Sequence, residues 1–509
     1  MLGFTKKSPP QSSMNSSSED GSDKKFKDGR IFHEETVTGV PHDDGFIPPT
    51  EKELKRLMLK IDLRVIPYIA ILYLCSFLDR VNIGNAKVAG LTEDIDITDD
   101  QYNWALSLFF IGYILFEVPS NLMLKVVGPC IWIPLIMVVW GTIMALMSLC
   151  TNGPSLMAAR FFLGVAESGL YPAAIFYLSK WYTKRQQAFR IALFYSSSTL
   201  SGAFGGVLAY GIQHMDGIHG LRGWQWIFII EAIPTIFFGI LTYFVLPDYP
   251  DKTSFLNERE REIIVRRIKL DVGAATETHF SWYQVLQAFL DWKVYLFAFS
   301  YICGAICVYS LAMFMPSIVQ GMGYTSRLEA QLMSAPPYVF AFVATILNGY
   351  STDKIGERGF HLAGVGFLAS IGYVLLLTLQ GYGSVATYIA AIITTTFAFA
   401  TNPPMASFFS NNFGGETKRS VAYAIVLTIG NAGGAISGHI YRADDAPHYL
   451  RGHKICLGLM LGGAALALLI KYLLYRENKR RDNLTPEQYR IECERREPCD
   501  KHPDFRYIL

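Results

Sequence analysis

Six ionisable residues fall inside or at the edges of long apolar runs: Asp79, Arg80, Glu117, Arg160, Glu167 and Glu231. A charge there costs about 2.5–3.5 kcal/mol on insertion scales and seldom faces lipid. Asp79 and Arg80 are adjacent, whereas Arg160 and Glu167 are seven apart and would share one helix face about two turns apart. If both faces meet at one cavity, the site holds two acids and two bases and is neutral when empty. An added carboxylate leaves it negative in a poorly solvated place. That field favours protonation of the neighbouring acids, and one proton restores neutrality. Anion and proton would then assist each other's binding, as symport requires. The same four residues also fit a static ion-pair network between two helices, in which loss of one partner merely destabilises. Glu117 and Glu231 lie nearer the ends of their runs and suit structural or gating roles.

Charge inside the apolar runs is unevenly distributed, toward the first half. Residues 294–324 and 360–415 contain no Asp, Glu, Lys or Arg, so the second half would offer neutral polar and aromatic contacts. Candidates to touch substrate are Tyr309, Tyr338 beyond Pro336-Pro337, Asn402 before Pro403-Pro404, and Asn431 in a glycine-rich stretch. The prolines would break their helices and expose carbonyls usable only beside a cavity. Rings at these positions suit a flat, ring-bearing substrate, although Tyr and Asn also serve helix packing through interhelical hydrogen bonds. His439, near a span end, suits a structural or surface role. One proton moved with one monovalent anion carries no net charge, so only the pH gradient drives it, at about 1.4 kcal/mol per unit. Two titratable acids also permit a two-proton cycle that adds the membrane potential, about 2.3 kcal/mol per 100 mV.

The elements that must hold these residues follow from composition. Of 509 residues 51% are hydrophobic and 14% aromatic, and only 17% are charged, against about a quarter in soluble domains. With a mean hydropathy of +0.26, the chain reads as a membrane protein. A span needs about 20 apolar residues. Such runs occur at 65–83, 102–124, 130–150, 153–179, 188–212 and 224–246, then at 292–316, 331–351, 360–380, 384–409, 418–440 and 453–475. The fold expected is all-α, with 12 transmembrane helices in two six-helix bundles. The first 60 residues read as a disordered tail, 61–246 as the first bundle, 247–291 as a linker with an amphipathic helix (NEREREIIVRRIKLD), 292–475 as the second bundle and 476–509 as a tail. Lys and Arg crowd both tails, the 180–190 loop and the linker, while the 84–101 loop has one Lys against five acids. Both termini are therefore expected on the cytoplasmic side, leaving the sequons at Asn15 and Asn483 unglycosylated. Eight scattered cysteines show no metal or disulfide spacing, and Cys303 and Cys307 read as small buried thiols. TIGNAGGAISG at 428–438 lies inside an apolar span without a preceding strand or the Lys-Ser/Thr ending of a phosphate loop, so close helix contact explains it better. No cofactor, metal or nucleic-acid partner is expected.

Three motifs carry a resemblance: LDRVNIGNAKVAGL at 78–91, RFFLGVAESGLYPA at 160–173 and GWQWIFIIEAIP at 223–234. They resemble the anion:cation symporter branch of the major facilitator superfamily, particularly its fungal allantoate/nicotinate permease group, over about residues 60–480. At Gln225 the family commonly has Arg. The resemblance implies proton sites at Asp79 and Glu167, with Arg80 and Arg160 pairing to them and to a substrate carboxylate. Gly349, Asp353, Gly356 and Arg358 fit the superfamily's G-x-x-x-D-x-x-G-x-R loop, in which acid and base latch one conformation. The matching NLMLKVVGPC at 121–130 is degenerate, with Lys125 and Cys130 in place of the acid and base, so Glu117 becomes a gating candidate. SSSTLSGAFGG at 196–206 lacks the Gly-Pro of drug/proton antiporters.

The reading is a transporter rather than an enzyme: a monomeric, plasma-membrane, proton-coupled importer of a small organic anion. A nicotinate-like vitamin acid comes first, with allantoate, ureidosuccinate, pantothenate and short peptides also open. A facilitative or sodium-coupled anion carrier is the alternative, and a non-transporting nutrient sensor a more distant one.

Overall fold

The computed structural model describes residues 47–273, 281–324, 326–494 and 496–509. The tail expected to be disordered, with Asn15, lies outside the described residues up to 46. Helix already begins at Glu51, because the 51–65 stretch continues an apolar spacing that buries Leu57, Met58, Ile61 and Val65.

Twelve long helices follow in order: α1 (Glu51–Val88), α2 (Asp99–Val127), α3 (Pro129–Met147), α4 (Gly153–Trp181), α5 (Lys184–Gln213) and α6 (Gly223–Val245). Then come α7 (Trp292–Gly321), α8 (Arg327–Thr352), α9 (Gly359–Thr378), α10 (Ser384–Asn411), α11 (Glu416–Ser437) and α12 (Leu450–Asp482). Among the described residues, eleven helices are long and apolar enough to cross a membrane; α5, 30 residues long, stands between two of them. With 38 residues, α1 runs about 57 Å at 1.5 Å per residue, well beyond a hydrocarbon layer of about 30 Å.

The packing repeats with a shift of six helices. In the first half α1 packs on α5 and α6, α2 on α4, and α3 on α4 and α6; in the second α7 packs on α11 and α12, α8 on α10, and α9 on α10 and α12. Between halves the contacts are α1 with α7, α2 with α11 and α5 with α8, a set that maps onto itself when the halves are exchanged. An even number of spans puts both termini at one end, here the termini end.

Two expected breaks are present. Span α8 is interrupted at Ser334 before its Pro-Pro pair, and α10 at Ala400–Thr401. The Ala400 carbonyl freed there accepts from Asn348 Nδ2 at 2.8 Å. A third break, in α4 between Glu167 and Leu170, arises from Pro172, which has no N–H for the Ser168 carbonyl.

The chain beyond 482 is docked rather than free. A short helix, Pro486–Cys493, leads back to the bundle. There Asp500 and Tyr507 are buried, and the last residues bond to Arg358 and Asn412: Arg358 N–H donates to Leu509 O at 2.7 Å, and Asn412 Nδ2 to Ile508 O at 2.9 Å.

Candidate functional site

The α1 helix sorts its polar residues by angle. Successive side chains diverge by about 100°, so Asp79 and Arg80 cannot serve one partner. Ser76 and Arg80, one turn apart, face α4: Ser76 Oγ donates to Glu167 Oε1 at 2.6 Å, and Arg80 bonds the same oxygen through Nη2 and, at 3.2 Å, through Nε. Arg80 Nη1 reaches Tyr309 Oη on α7 at 3.4 Å. Its guanidinium lies 5.3 Å from the Phe109 ring centroid and 5.1 Å from that of Tyr113, a cation–π cage that supports a desolvated charge.

Arg160, two turns from Glu167 on α4, is 0% exposed. Its Nη2 donates to the Arg80 backbone carbonyl at 3.2 Å and its carbon lies 4.9 Å from the Phe109 ring centroid. Among the described residues, its Nε and Nη1 have no hydrogen-bond partner. The helices approach closely enough to bury it because Gly164 lies against the Phe109 carbonyl, where a Cβ would clash.

Asp79 turns the other way, between α3 and α6. Its Oδ2 accepts from Trp140 Nε1 at 3.0 Å and from Thr235 Oγ1 at 2.7 Å. The four-charge cluster expected at one cavity is thus two groups: Arg80, Arg160 and Glu167 on the inner face, formally +1, and Asp79 behind it. Trp140, Thr235 and Ser76 are partners that no charge pattern reveals.

From the second half, Tyr309 and Asn431 come to this site. The Tyr309 ring meets Phe110 with centroids 4.8 Å apart, and Asn431 faces Glu117 of α2. Tyr338 does not: it packs on Phe399 and Gly202 at the α5–α8 crossing, with Oη donating to the Leu311 carbonyl at 3.3 Å. Asn402 lines a separate cleft inside the second half with Ser300, Tyr301 and Met460. His439 sits edge-on to Trp104.

Of the expected latch, a Cβ at Gly349 would meet Pro403 at 3.7 Å, an ordinary contact, and Gly356 ends the helix with φ +73°, which favours glycine. Arg358 is buried beside the docked C-terminus. The Asp353 and Lys125 side chains lie outside the described set. Cys130 Sγ lies 3.5 Å from the Pro247 carbonyl.

Closure differs at the two ends. At the end opposite the termini, Gly84 lies against the Met313 carbonyl, Ser107 Oγ donates to Ala435 O at 2.6 Å, and Arg327 pairs with Glu93 at 2.6 Å. On the termini side the site is floored by tyrosines. Tyr73 and Tyr171 lie 5.7 Å apart by ring centroid, and Tyr171 meets Tyr423 and packs on the second half's core with Tyr301. Spacing could have found this floor, since Tyr73, Tyr301 and Tyr423 precede Arg80, Tyr309 and Asn431 by seven or eight residues, two turns on one face.

Residues 69–438 match the family model described as Major Facilitator Superfamily. The chain is 31% identical over 482 residues to the high-affinity nicotinic acid transporter of Saccharomyces cerevisiae, covering 93% of this chain and 88% of that one. It is 37% identical over 471 residues to the MFS-type transporter cnsO of Penicillium expansum, covering 89% and 90%. In fold it is similar to a bacterial homologue of the human lysosomal transporter Spinster, solved inward-facing and unoccupied, with a TM-score of 0.64 at 15% identity over 83% of this chain and 98% of that one. With twelve helices in two six-helix halves around an inner cluster of two arginines and one glutamate, the chain belongs to the major facilitator superfamily of membrane transporters.

Proposed function

We propose that the protein imports a small carboxylate by alternating access, coupled to protons. The observation that supports this most is Arg160: a wholly buried guanidinium whose Nε and Nη1 are unused among the described residues, beside an Arg80 already held by Glu167. Either donor can hold a carboxylate oxygen through a charge-assisted hydrogen bond. The carboxylate brings the inner cluster from +1 to neutral and competes with Glu167 for Arg80. Once displaced, Glu167 is a buried carboxylate without its cation, and a proton stabilises it there. Carboxylate and proton then favour each other's binding. Asp79 is a second proton site, turned about 100° from Arg80 around α1. Tyr309, Phe110 and Tyr113 suit an aromatic ring carrying the acid, so a nicotinate-like acid is the first substrate, in keeping with the named relative. Tyr338 and Asn402, remote from Arg160, serve helix packing and the break in α10.

In this reading the two halves join through a cytoplasmic linker, Lys/Arg placement supports cytoplasmic termini, and the protein works as a monomer in the plasma membrane. Gating falls to Glu117 and to the Gly349–Arg358 loop. The test is uptake of labelled nicotinate into vesicles at about pH 5 and pH 7, with and without a protonophore. The proposal predicts acid-stimulated, protonophore-sensitive uptake that Arg160→Gln abolishes. Uptake that follows sodium, or that ignores both ions, would replace the proton with the alternative mechanisms.

A further inference from the structure

On the side of α1 away from Arg80, Asp79 shares a buried space with Glu231 of α6. Thr235, one turn beyond Glu231 on the same face, donates to Asp79 Oδ2, as does Trp140. Asn82, on the same face of α1 as Asp79, lies opposite Glu231 and donates to Met144 Sδ at 3.3 Å. Glu231 is 1% exposed, and neither of its carboxyl oxygens has a hydrogen-bond partner among the described residues. The groups facing this space are Cys75, Asp79 and Asn82 from α1, Trp140 and Met144 from α3 and Thr235 from α6, with Glu167 of α4 within electrostatic reach. No cation is among them, because Arg80 is turned to Glu167.

A buried carboxylate without a cation costs several kcal/mol, and the charge on Asp79 raises the cost of ionising Glu231 further. The two donors on Asp79 stabilise its charged form, whereas Glu231 is faced only by the Asn82 amide, which makes no well-formed hydrogen bond to it. We propose that Glu231 is a resident neutral carboxylic acid which, with Asp79, forms a two-carboxyl proton site inside the first half, separate from the substrate-facing Arg80–Glu167 pair. For its part in transport this rests on the proton-coupled reading above, but the proton itself is detectable without substrate. With Glu231 neutral, Asp79 is the member that exchanges a proton, and α1 conveys its charge state to Arg80 on its other face.

The test is infrared spectroscopy of the full-length protein in lipid vesicles at pH 7, without substrate, reading the protonated-carboxyl stretching band and its shift in heavy water. The wild type, Asp79→Asn and Glu167→Gln should show the Glu231 band, and Glu231→Gln should lose it. A spectrum unchanged by Glu231→Gln, or a band lost in Asp79→Asn instead, overturns the assignment. If Glu231→Gln does not fold, carbon-13 labelling of the wild type decides: glutamate-selective label must shift the band and aspartate-selective label must not. Failure of nicotinate uptake leaves this result untouched, and absence of the band leaves carboxylate transport standing.

Discussion

Arg160 sits between the Phe109 ring and the Arg80 carbonyl with its Nε and Nη1 donors left over on either side of Nη2, a geometry that makes the guanidinium shape matter as well as the charge. Lysine keeps the charge and loses the fork. A hydrogen bond to a charged group contributes about 1.5–3 kcal/mol, so Arg160→Lys should raise the KM for nicotinate uptake roughly tenfold to a hundredfold. An unchanged KM would remove Arg160 from the substrate's path. All three residues of the inner cluster were legible in the sequence, since charged residues in apolar runs are few. Their division was not. Adjacent in the chain, Asp79 and Arg80 are a third of a turn apart in space, and the neutral donors Trp140 and Thr235 that claim Asp79 resemble any other residues of an apolar helix.

The docked C-terminal segment shows the same logic at the level of helices. Asp500 inserts between the start of α7 and the start of α11: Lys293 pairs with it, and Lys418 bonds it at 2.6 Å while also reaching Asp291 at 2.7 Å. Arg481 of α12 clasps the Phe505 carbonyl at 2.6 Å and Tyr507 Oη at 3.0 Å. Lys418→Met leaves two buried carboxylates to one lysine, and breaking such a pair costs about 3–5 kcal/mol. The tail should release, with Cys499 alkylated at least about tenfold faster; an unchanged rate would mean the clasp at Arg481 suffices. Burial alone would raise the Asp500 carboxyl, but the Lys293 and Lys418 ammoniums outweigh it and hold it below the usual carboxylate range. A depressed acid stabilises the fold above its unfolded value, about 3.9, and loses that contribution as pH falls through the lower folded value. Docking should therefore be constant from neutrality down to about pH 4 and fail below it, as limited proteolysis of the tail would read. The sequence of this segment is polar and densely charged with both signs, which reads as a free tail, because a docking site made of lysines on two distant helices leaves no local pattern.

Across the molecule, the repeat of packing partners six helices apart places α1 and α7 together at the centre, joined at the end opposite the termini by Gly84 against the Met313 carbonyl. Alternating access requires that contact to form and part. A side chain there holds the helices apart, so Gly84→Val should lower uptake more than about tenfold while the protein remains folded. Normal uptake would show that α1 and α7 need not close. Spans and their grouping were readable because about 20 apolar residues are a strong signal, one that eleven of the twelve long helices carry in full. The cross-half contacts were not, since Gly84 and Gly434 show their use only when the opposing Met313 carbonyl and Phe110 ring are in view. In the proposed cycle, what joins residues, helices and halves is Glu167, whose pairing with Arg80 ends when a carboxylate takes that guanidinium. The decisive measurement compares wild type with Glu167→Gln in vesicles for two activities: accumulation of labelled nicotinate driven by an inward proton gradient, and exchange of internal for external nicotinate without a gradient. Loss of accumulation with exchange retained is the predicted result. Undiminished proton-driven accumulation by Glu167→Gln would contradict the account.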